Sequence, residues 1–379
     1  MYTPQFALLC LSSLLFSASF NMLIPELPAY LSGLGGAEHK GLIIALFTIT
    51  AGISRPFSGK LTDTVGRVPV MAVGSLVCFV CGFLYPVLSS VAGFLFLRLL
   101  HGFSTGFKPT ATAAYVADIV PAHRRGEALG IHGLCFSTGM ALGPAIGSAI
   151  SMYYSINVLF YCSSAFALLS IIIIMNMKET VSGKQEFSPA LLKISRNEIF
   201  EKQVFPAALV TFLSYMSYGA MLTVVPDWSQ HLGISNKGLF FMAFTIASVL
   251  IRFVSGKASD RYGRVKVLKI ASLVLIVALV TIGLAGSLWS LLLAAAVYGI
   301  ATGILSPACN AWTIDLAHPD RRGMAVATMY IALEAGIGLG AFFAGLFYQD
   351  VVMRIPVVFY ASAAVVALSF FYLQLQGDK

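Results

Sequence analysis

Apolar stretches of roughly 18–24 residues, nearly free of charged side chains, recur along the whole chain. Of its 379 residues, 58% are apolar and only 11% are charged, whereas a soluble domain carries about 25% charged residues. Because lipid offers no partner to backbone polar groups, stretches of this length must form helices that satisfy their own hydrogen bonds. The pattern therefore predicts a membrane protein. It excludes a soluble enzyme, a nucleic-acid-binding module and a disordered scaffold.

The stretches predict twelve membrane-spanning helices. Their predicted bounds are 5–31, 38–58, 69–89, 91–118, 126–152, 156–176, 203–227, 236–256, 266–286, 288–316, 323–347 and 353–374. Most connections are short, as expected for antiparallel neighbours. The exception is the polar segment 177–202, which follows the sixth span. We therefore predict an all-α membrane protein with an N-terminal six-helix bundle (1–176), a linker (177–202) and a C-terminal six-helix bundle (203–379).

Basic residues are distributed unequally between the two sides of the predicted bundle. Seventeen of the 24 Lys and Arg residues lie on the side that carries both termini and the linker. They are Lys60, Arg67, Arg124, Arg125, Lys178, Lys184, Lys193, Arg196, Lys202, Lys257, Arg261, Arg264, Lys266, Lys269, Arg321, Arg322 and Lys379. The opposite side carries Lys40, Lys237 and Arg354. This bias predicts cytoplasmic termini and explains the net charge of +8 without a nucleic-acid partner.

An internal repeat relates the two halves at a shift of 197 residues. RPFSGKLTDTVGRVPV (55–70) matches RFVSGKASDRYGRVKV (252–267) at nine of sixteen positions. The same shift brings together Gly59 with Gly256, Asp63 with Asp260, Gly66 with Gly263, Arg67 with Arg264, Asp118 with Asp315, Arg124 with Arg321, Gly139 with Gly336 and Gly143 with Gly340. Parallel copies of a six-helix unit are typical of transporters that rock around a site at the repeat interface.

Three motifs resemble those of the major facilitator superfamily, and in particular its drug:proton antiporter group. They are the loop motif GKLTDTVGR (59–67), R-x-x-x-G in the fourth span (Arg98 and Gly102) and G-x-x-x-G-P-x-x-G in the fifth (Gly139, Gly143, Pro144 and Gly147). The end of the first span, IPELPAY (24–30), is similar as well. The chain departs from the group at Ser148, where a glycine is usual, and at Pro69, where a basic residue is common.

The resemblance gives each motif an expected role. The loop motif implies a latch between the halves that favours the outward-facing state, with tight turns expected at Gly59 and Gly66. Asp118 and Asp315, each just before an Arg pair, are expected to join the same charge network. The fifth-span glycines lie on one helix face, where small residues allow close packing, and by resemblance the motif accompanies export.

Charged residues inside the spans are costly in lipid and are therefore functional candidates. By resemblance Arg98 helps to couple proton movement. Glu334, near the middle of the eleventh span, is the first candidate for the proton-carrying acid because a buried carboxyl can bind and release a proton. The alternative is a structural ion pair with Lys108 or Arg98. Glu26 is either a second such acid or an exposed residue at the mouth. Lys108 is open to three readings: a partner of a buried carboxylate, a binder of an anionic substrate, or a side chain that reaches the interface.

Aromatic and histidine side chains are the remaining candidates for the substrate cavity. Tyr215 and Tyr218, one helical turn apart, are the strongest of them, and Phe136 is a further one. His101 is either a titrating group or part of the helix packing.

The sequence thus predicts a secondary transporter that works by alternating access, and not an enzyme. We expect a monomer that exports a small amphiphilic or drug-like molecule across the cell membrane. It would be driven by an ion gradient, of protons by resemblance, with no cofactor. Two alternatives stay open: a proton symporter that imports a sugar, organic acid or other anionic solute, and a non-transporting receptor or lipid translocase of the same fold.

Overall fold

The computed structural model describes residues 3–121, 124–193, 200–318 and 321–376. These residues form thirteen α-helices. They are α1 (Pro4–Asn21), α2 (Leu27–Gly33), α3 (Lys40–Thr64), α4 (Arg67–Leu84), α5 (Val91–Ile119), α6 (Arg125–Tyr153), α7 (Ile156–Met175), α8 (Phe205–His231), α9 (Gly238–Tyr262), α10 (Arg264–Gly283), α11 (Leu288–Leu316), α12 (Arg322–Tyr348) and α13 (Ile355–Leu375). Since α1 and α2 together form the first predicted span, the thirteen helices make twelve spans.

The first span is broken, and the prediction of one continuous helix over 5–31 is wrong. Helix α1 ends at Asn21, and α2 begins at Leu27 after a turn. Pro25 lies in this turn and Pro28 in the first helical turn of α2. A proline cannot donate a backbone hydrogen bond, so two prolines three residues apart end one helix and begin the next.

The loop motif is mostly helical, because α3 and α9 extend about one and a half turns beyond their predicted ends. Gly59 and Gly256 lie inside these helices, and a Cβ at either position would meet no atom within 4 Å. The predicted turn at Gly59 is therefore wrong. The turn falls at Gly66, with φ of 134°, and at its repeat equivalent Gly263, with φ of 90°. Only glycine adopts such angles readily.

Eleven of the described helical segments are long and apolar enough to cross a membrane. The twelfth span is α5, which has 29 residues. It is less apolar than the others because Arg98, His101 and Lys108 lie within it.

The chain divides into two compact units, a first unit (1–24 and 49–195) and a second unit (25–48 and 196–379). In the first, α1 packs on α6 and α7, and α4 packs on α5 and α7. In the second, the repeat-equivalent helices form the same pairs: α8 packs on α12 and α13, and α10 on α11 and α13. The hydrogen bond from Ser58 to the carbonyl of Gly106 (2.6 Å) likewise recurs from Ser255 to Gly303 (3.4 Å).

The segment 25–48, which holds α2 and the start of α3, packs with the second unit although it belongs to the first half of the sequence. The linker as far as residue 193 packs with the first unit. There Gln185 N–H donates to the carbonyl of Thr64 (2.8 Å), and Lys60 Nζ donates to the carbonyl of Lys193 (2.7 Å).

The fifth-span glycines pack α6 directly against α1. A Cβ at Gly139 would lie 2.5 Å from the carbonyl oxygen of Leu14, and one at Gly147 would lie 2.0 Å from that of Met22. In the second unit, a Cβ at Gly340 would lie 2.0 Å from the carbonyl oxygen of Met216 on α8. The predicted close helix packing is therefore present in both repeats.

Candidate functional site

The loop motif forms the same ion-paired triad in each repeat. Arg67 Nε lies 3.0 Å from Asp118 Oδ2, and its Nη1 lies 2.9 Å from Asp63 Oδ1. The second triad joins Arg264 to Asp315 (2.9 Å) and to Asp260 (2.5 Å). Each arginine thus bridges the end of one helix to the end of another within its own repeat. The latch between the halves that the resemblance implies stays a prediction.

Arg124 and Arg321, the repeat-equivalent arginines that follow the triads, have different contacts. Arg321 Nη1 lies 3.5 Å from the buried carboxylate of Glu201. Arg124 precedes α6, and its backbone N–H donates to the carbonyl of Pro121 (2.9 Å). Their gating role also stays a prediction.

Glu179, a linker residue that sequence reasoning missed, caps the start of α4. Its carboxylate accepts backbone hydrogen bonds from Arg67 (3.0 Å), Val68 (3.0 Å), Thr180 (2.8 Å) and Val181 (3.0 Å). Burial would raise the pKa of this carboxyl, but the four backbone donors outweigh that effect and lower the pKa overall. The cap ties the linker to the first triad.

Replacing Glu179 with glutamine is expected to lower the free energy of unfolding at pH 7 by about 1 kcal/mol, because α4 loses a charged cap. A carboxyl whose pKa is lowered on folding stabilises the protein above its unfolded pKa, and this stabilisation is lost as the pH falls through the folded pKa. The difference between wild type and Glu179→Gln should therefore shrink as the pH falls below about 4.3. Thermal unfolding across pH measures it, and Glu186→Gln, an exposed linker change, is the control. A difference that does not change with pH would contradict the charged cap.

A chain of hydrogen bonds crosses the interior of the first unit. Arg98 Nη1 donates to the Tyr85 hydroxyl (3.4 Å), which lies 3.0 Å from His101 Nδ1. His101 Nε2 lies 3.2 Å from Cys78 Sγ, and this sulfur lies 3.2 Å from Ser19 Oγ. All five residues are buried. The chain joins α5, α4 and α1, and it places Arg98 and His101 in one network.

Lys108 lies inside the first unit, 1% exposed, with neutral partners. Its ammonium donates to the Ser12 carbonyl (3.0 Å), the Ser12 hydroxyl (2.9 Å) and the Ser170 hydroxyl, and lies 4.6 Å from the Phe16 ring centroid. Among the described contacts of this ammonium there is no carboxylate, and burial removes it from the interface. The anion-binding reading stays a prediction.

Replacing Lys108 with methionine is expected to raise the free energy of unfolding by about 1 kcal/mol, because a buried charge without an ionic partner is costly. Ser12 and Ser170 would still bond each other, since their hydroxyl oxygens are 3.0 Å apart. The repeat-equivalent residue, Leu305, is buried in the second unit, and Leu305→Met is the matched control. Thermal unfolding in detergent measures whether Lys108→Met raises or lowers the stability. A clear loss of stability would show that the three hydrogen bonds outweigh the cost of burial.

Phe136 and His132 line the α6 side of the first unit. The Phe136 ring lies 6.4 Å from that of Phe20 on α1, and His132 Nε2 lies 2.8 Å from the Ser13 hydroxyl. Both contacts join α6 to α1.

Glu334 lies near the middle of α12 in the second unit and is 7% exposed. It is close enough to Tyr218 to act on that hydroxyl electrostatically, as is Arg252. Tyr218 packs against Tyr215 with ring centroids 6.2 Å apart, and Tyr215 shares a hydrogen bond with Ser306. The structure thus packs the two predicted tyrosines against each other, with the predicted acid within electrostatic range of Tyr218.

Two aromatic rings extend this cluster onto neighbouring helices. Phe244 on α9 lies 5.9 Å from Tyr218 and 5.6 Å from Tyr298 on α11, between ring centroids. The Tyr298 hydroxyl lies 3.1 Å from that of Ser217. An acid, a cation and four aromatic rings from α8, α9, α11 and α12 therefore form the candidate site of the second unit.

In the second unit, the two lysines at the starts of α3 and α9 bind carboxylates. Glu26 Oε2 lies 3.2 Å from Lys237 Nζ, and both side chains are 11% exposed. Lys40 Nζ lies 2.7 Å from Asp227 Oδ2 and also contacts Asp350. Sequence reasoning missed the second cluster, because its members are separated by more than 100 residues in the chain.

Comparison with known proteins identifies the family. The sequence profile of the Major Facilitator Superfamily matches residues 9–235 and 207–377. The chain belongs to the major facilitator superfamily. As a member it is a multi-pass membrane transporter of small molecules and not an enzyme, and the prediction of an all-α fold with two six-helix repeats is confirmed.

Relatives within the superfamily match almost the whole chain. The quinolone resistance protein NorA of Staphylococcus aureus is 26% identical over 365 residues, which cover 93% of this chain and 92% of NorA. The multi-drug resistance efflux pump PmrA of Streptococcus pneumoniae is 26% identical over 96% of this chain and 93% of PmrA. A solved D-xylose-proton symporter shares the fold with a TM-score of 0.76 at 16% identity, and covers 97% of this chain and 96% of its own.

Proposed function

We propose that this transporter exports a small amphiphilic molecule in exchange for protons, by alternating access. The observation that carries the proposal is Glu334, a buried carboxyl in the middle of a membrane-spanning helix and within electrostatic range of Tyr218. Buried ionisable residues of this kind mark substrate and proton pathways. The proposal is supported by two relatives named for quinolone resistance and multidrug efflux, each matched over more than 90% of its length.

In this proposal Glu334 alternates between a protonated form and a charged form. A charged Glu334 would attract a cationic or polar group of the substrate, and a protonated one would release it. The faces of Tyr215, Tyr218, Phe244 and Tyr298 would hold the apolar part of an amphiphile, while their hydroxyls and Ser217 offer a few polar contacts. Arg98 and His101 would contribute to proton movement through their network in the first unit.

The direction of proton movement separates export from import. Proteoliposomes with an imposed pH gradient are given a permanently charged lipophilic dye, which cannot follow the gradient as a weak base. An antiporter accumulates the dye when the lumen is acidic, because protons leave as the dye enters. A symporter accumulates it only when the outside is acidic. The absence of accumulation under either gradient would favour a receptor or lipid translocase.

We also propose an orientation, a membrane and an oligomeric state for the transporter. Both termini and the linker would face the cytoplasm, the protein would sit in the plasma membrane, and one copy would suffice for transport. The excess of basic residues on that side supports the orientation. Labelling of single cysteines introduced at Glu186 and Glu38 with an impermeant reagent tests it. In intact cells only the position at 38 should react, and reaction at 186 alone would reverse the orientation.

A further inference from the structure

Lys40 and Lys237 are equivalent residues of the two repeats, 197 positions apart, and each is followed by a glycine. Each stands at the start of a long helix, α3 and α9 respectively. Each binds a carboxylate from the other half of the sequence: Lys40 binds Asp227 and Asp350, and Lys237 binds Glu26. The two lysines are therefore repeat-equivalent and each binds across the halves, although the acids that they bind are not equivalent residues.

The Lys40 cluster is the more deeply buried of the two. Lys40 is 4% exposed and Asp227 is 8% exposed. The Tyr348 hydroxyl lies 2.8 Å from Asp227 Oδ2 and 3.2 Å from Asp350 Oδ1, and Lys40 Nζ lies 5.4 Å from the Tyr348 ring centroid. One lysine thus serves two carboxylates, which leaves one surplus negative charge. The cluster borders a polar cavity of about 530 Å³.

The backbone that carries Asp350 is held in an unusual conformation. Gln349 and Asp350 have φ of 46° and 60°, and they are the two non-glycine residues with positive φ among those the structure describes. Side chains disfavour this region, so two such residues in succession persist only when their surroundings hold them in place. The contact between Asp350 and Lys40 supplies such a constraint.

Close backbone contact accompanies the ion pairs. A Cβ on Gly41 would lie 2.6 Å from the carbonyl oxygen of Ala341, and a Cβ on Gly345 would lie 2.5 Å from the α-carbon of Gly41. The first turn of α3 therefore rests directly on the last turns of α12. Ion pairs and glycine contact thus both hold the segment 25–48 against the second-half helices.

We propose that Lys40 and Lys237 are a repeat-related pair of ionic locks that hold the segment 25–48 against α8, α9 and α12, and that proton uptake by the Asp227–Asp350 pair stabilises the released state. The inference rests on alternating access as proposed above. On release Lys40 withdraws with its charge, and two neighbouring carboxylates face each other. A proton from solvent then bonds to one carboxylate oxygen and replaces the lost positive charge.

The exposed fraction of each carboxylate identifies the entry point for that proton. The Asp350 side chain is 40% exposed, whereas that of Asp227 is 9% exposed. The titratable and charged groups on the elements packed here come from four places in the chain. They are Glu26 and Tyr30 at and on α2, Lys40, Glu38 and His39 before and on α3, Asp227 and His231 on α8, and Tyr348, Asp350 and Arg354 at and after the end of α12. Asp350 is the acid of the lock that is both in contact with Lys40 and open to solvent.

Hydrogen–deuterium exchange of the full chain in lipid nanodiscs tests the locks, because backbone exchange reports local opening. Lys40→Met should speed exchange in 27–41 about tenfold or more, since it leaves Asp227 buried without its cation. Lys237→Met should have a smaller effect, because it breaks a single pair. Lys40→Arg keeps the charge and should stay near wild type. Exchange in 150–158 of the first unit should not change in any of these variants, and an equal increase there would overturn the proposal as a general loss of stability.

A second set of exchange measurements tests whether acid opens the segment. After correction for intrinsic exchange, wild type should open more in 27–41 at pH 5.5 than at pH 7.5, and Asp350→Asn should lose this response. If His231→Gln loses the response while Asp350→Asn keeps it, the assignment to Asp350 is overturned. If the exchange rate of 27–41 in Lys40→Met stays at the wild-type value, the proposal that Lys40 locks this segment is overturned. Exchange is measured without substrate, so failure here is distinguishable from failure of proton-coupled export, which dye transport reports.

Discussion

Replacing Gly147 with alanine is expected to lower the free energy of unfolding by about 2–3 kcal/mol. The new Cβ would lie 2.0 Å from the carbonyl oxygen of Met22 and 2.7 Å from its carbonyl carbon. These are backbone atoms of the first span, so no side chain can rotate away and α6 must move off α1. Gly139 and Gly143 on the same face hold the helices at this distance, and the movement would loosen their contacts as well.

Gly133 on the same helix provides the matched control. A Cβ there would meet no atom within 4 Å. Gly133→Ala should therefore stabilise α6 by about 0.5–1 kcal/mol, the helix propensity gained on replacing glycine. Thermal unfolding in detergent compares the two variants. If both raise the stability, α6 and α1 do not pack as closely as the structure indicates. Gly340→Ala in the second repeat should behave like Gly147→Ala, since its Cβ would lie 2.0 Å from the Met216 carbonyl oxygen.

Replacing Glu334 with glutamine is expected to abolish dye accumulation driven by a pH gradient, down to the level of protein-free vesicles. Glutamine keeps the size and hydrogen-bonding capacity of the side chain but cannot exchange a proton. Of the four buried carboxylates among the described residues, Glu26, Glu201 and Asp227 are ion-paired with Lys237, Arg321 and Lys40 near helix ends or in the linker. Glu334 lies in the middle of α12, away from the helix ends, so the loss of a proton site there should remove coupling.

Downhill exchange of the dye between the two sides should persist in Glu334→Gln, although with weaker binding. The aromatic rings of the cavity still hold the apolar part of the dye, while the attraction of the charged carboxylate is lost. Glu186→Gln, which changes an exposed linker carboxylate, is the matched control and should accumulate dye like wild type. Full gradient-driven accumulation by Glu334→Gln would remove this residue from the proton pathway and leave the transport proposal to another acid.

Much of the fold could be predicted from periodicity and composition, because lipid forces each long apolar stretch into a helix. The repeat predicted that Arg67 and Arg264 would sit alike, and they form equivalent triads. The break of the first span could also have been predicted, since Pro25 and Pro28 are only three residues apart in the sequence. The helical position of Gly59 was not, because a glycine is compatible with either a turn or a helix.

The contacts that sequence reasoning missed are long-range ones. Glu179 caps a helix more than 100 residues earlier in the chain, and no local pattern distinguishes it from other linker acids. The Lys40 cluster joins residues from three distant segments, and only the repeat relation between Lys40 and Lys237 hinted at a shared role. Lys108 was recognisable as unusual, but its serine partners on α1 and α7 depend on how the bundle packs.

Proton movement driven by the substrate alone tests the central claim most directly. Proteoliposomes are loaded with the charged dye and a trapped pH indicator, with no initial pH gradient, and are then diluted so that the dye leaves down its own gradient. A proton-coupled exporter should acidify the lumen as the dye leaves, and Glu334→Gln should not. A lumen that becomes alkaline would contradict antiport in favour of symport, and dye movement without any pH change in wild type would contradict proton coupling altogether.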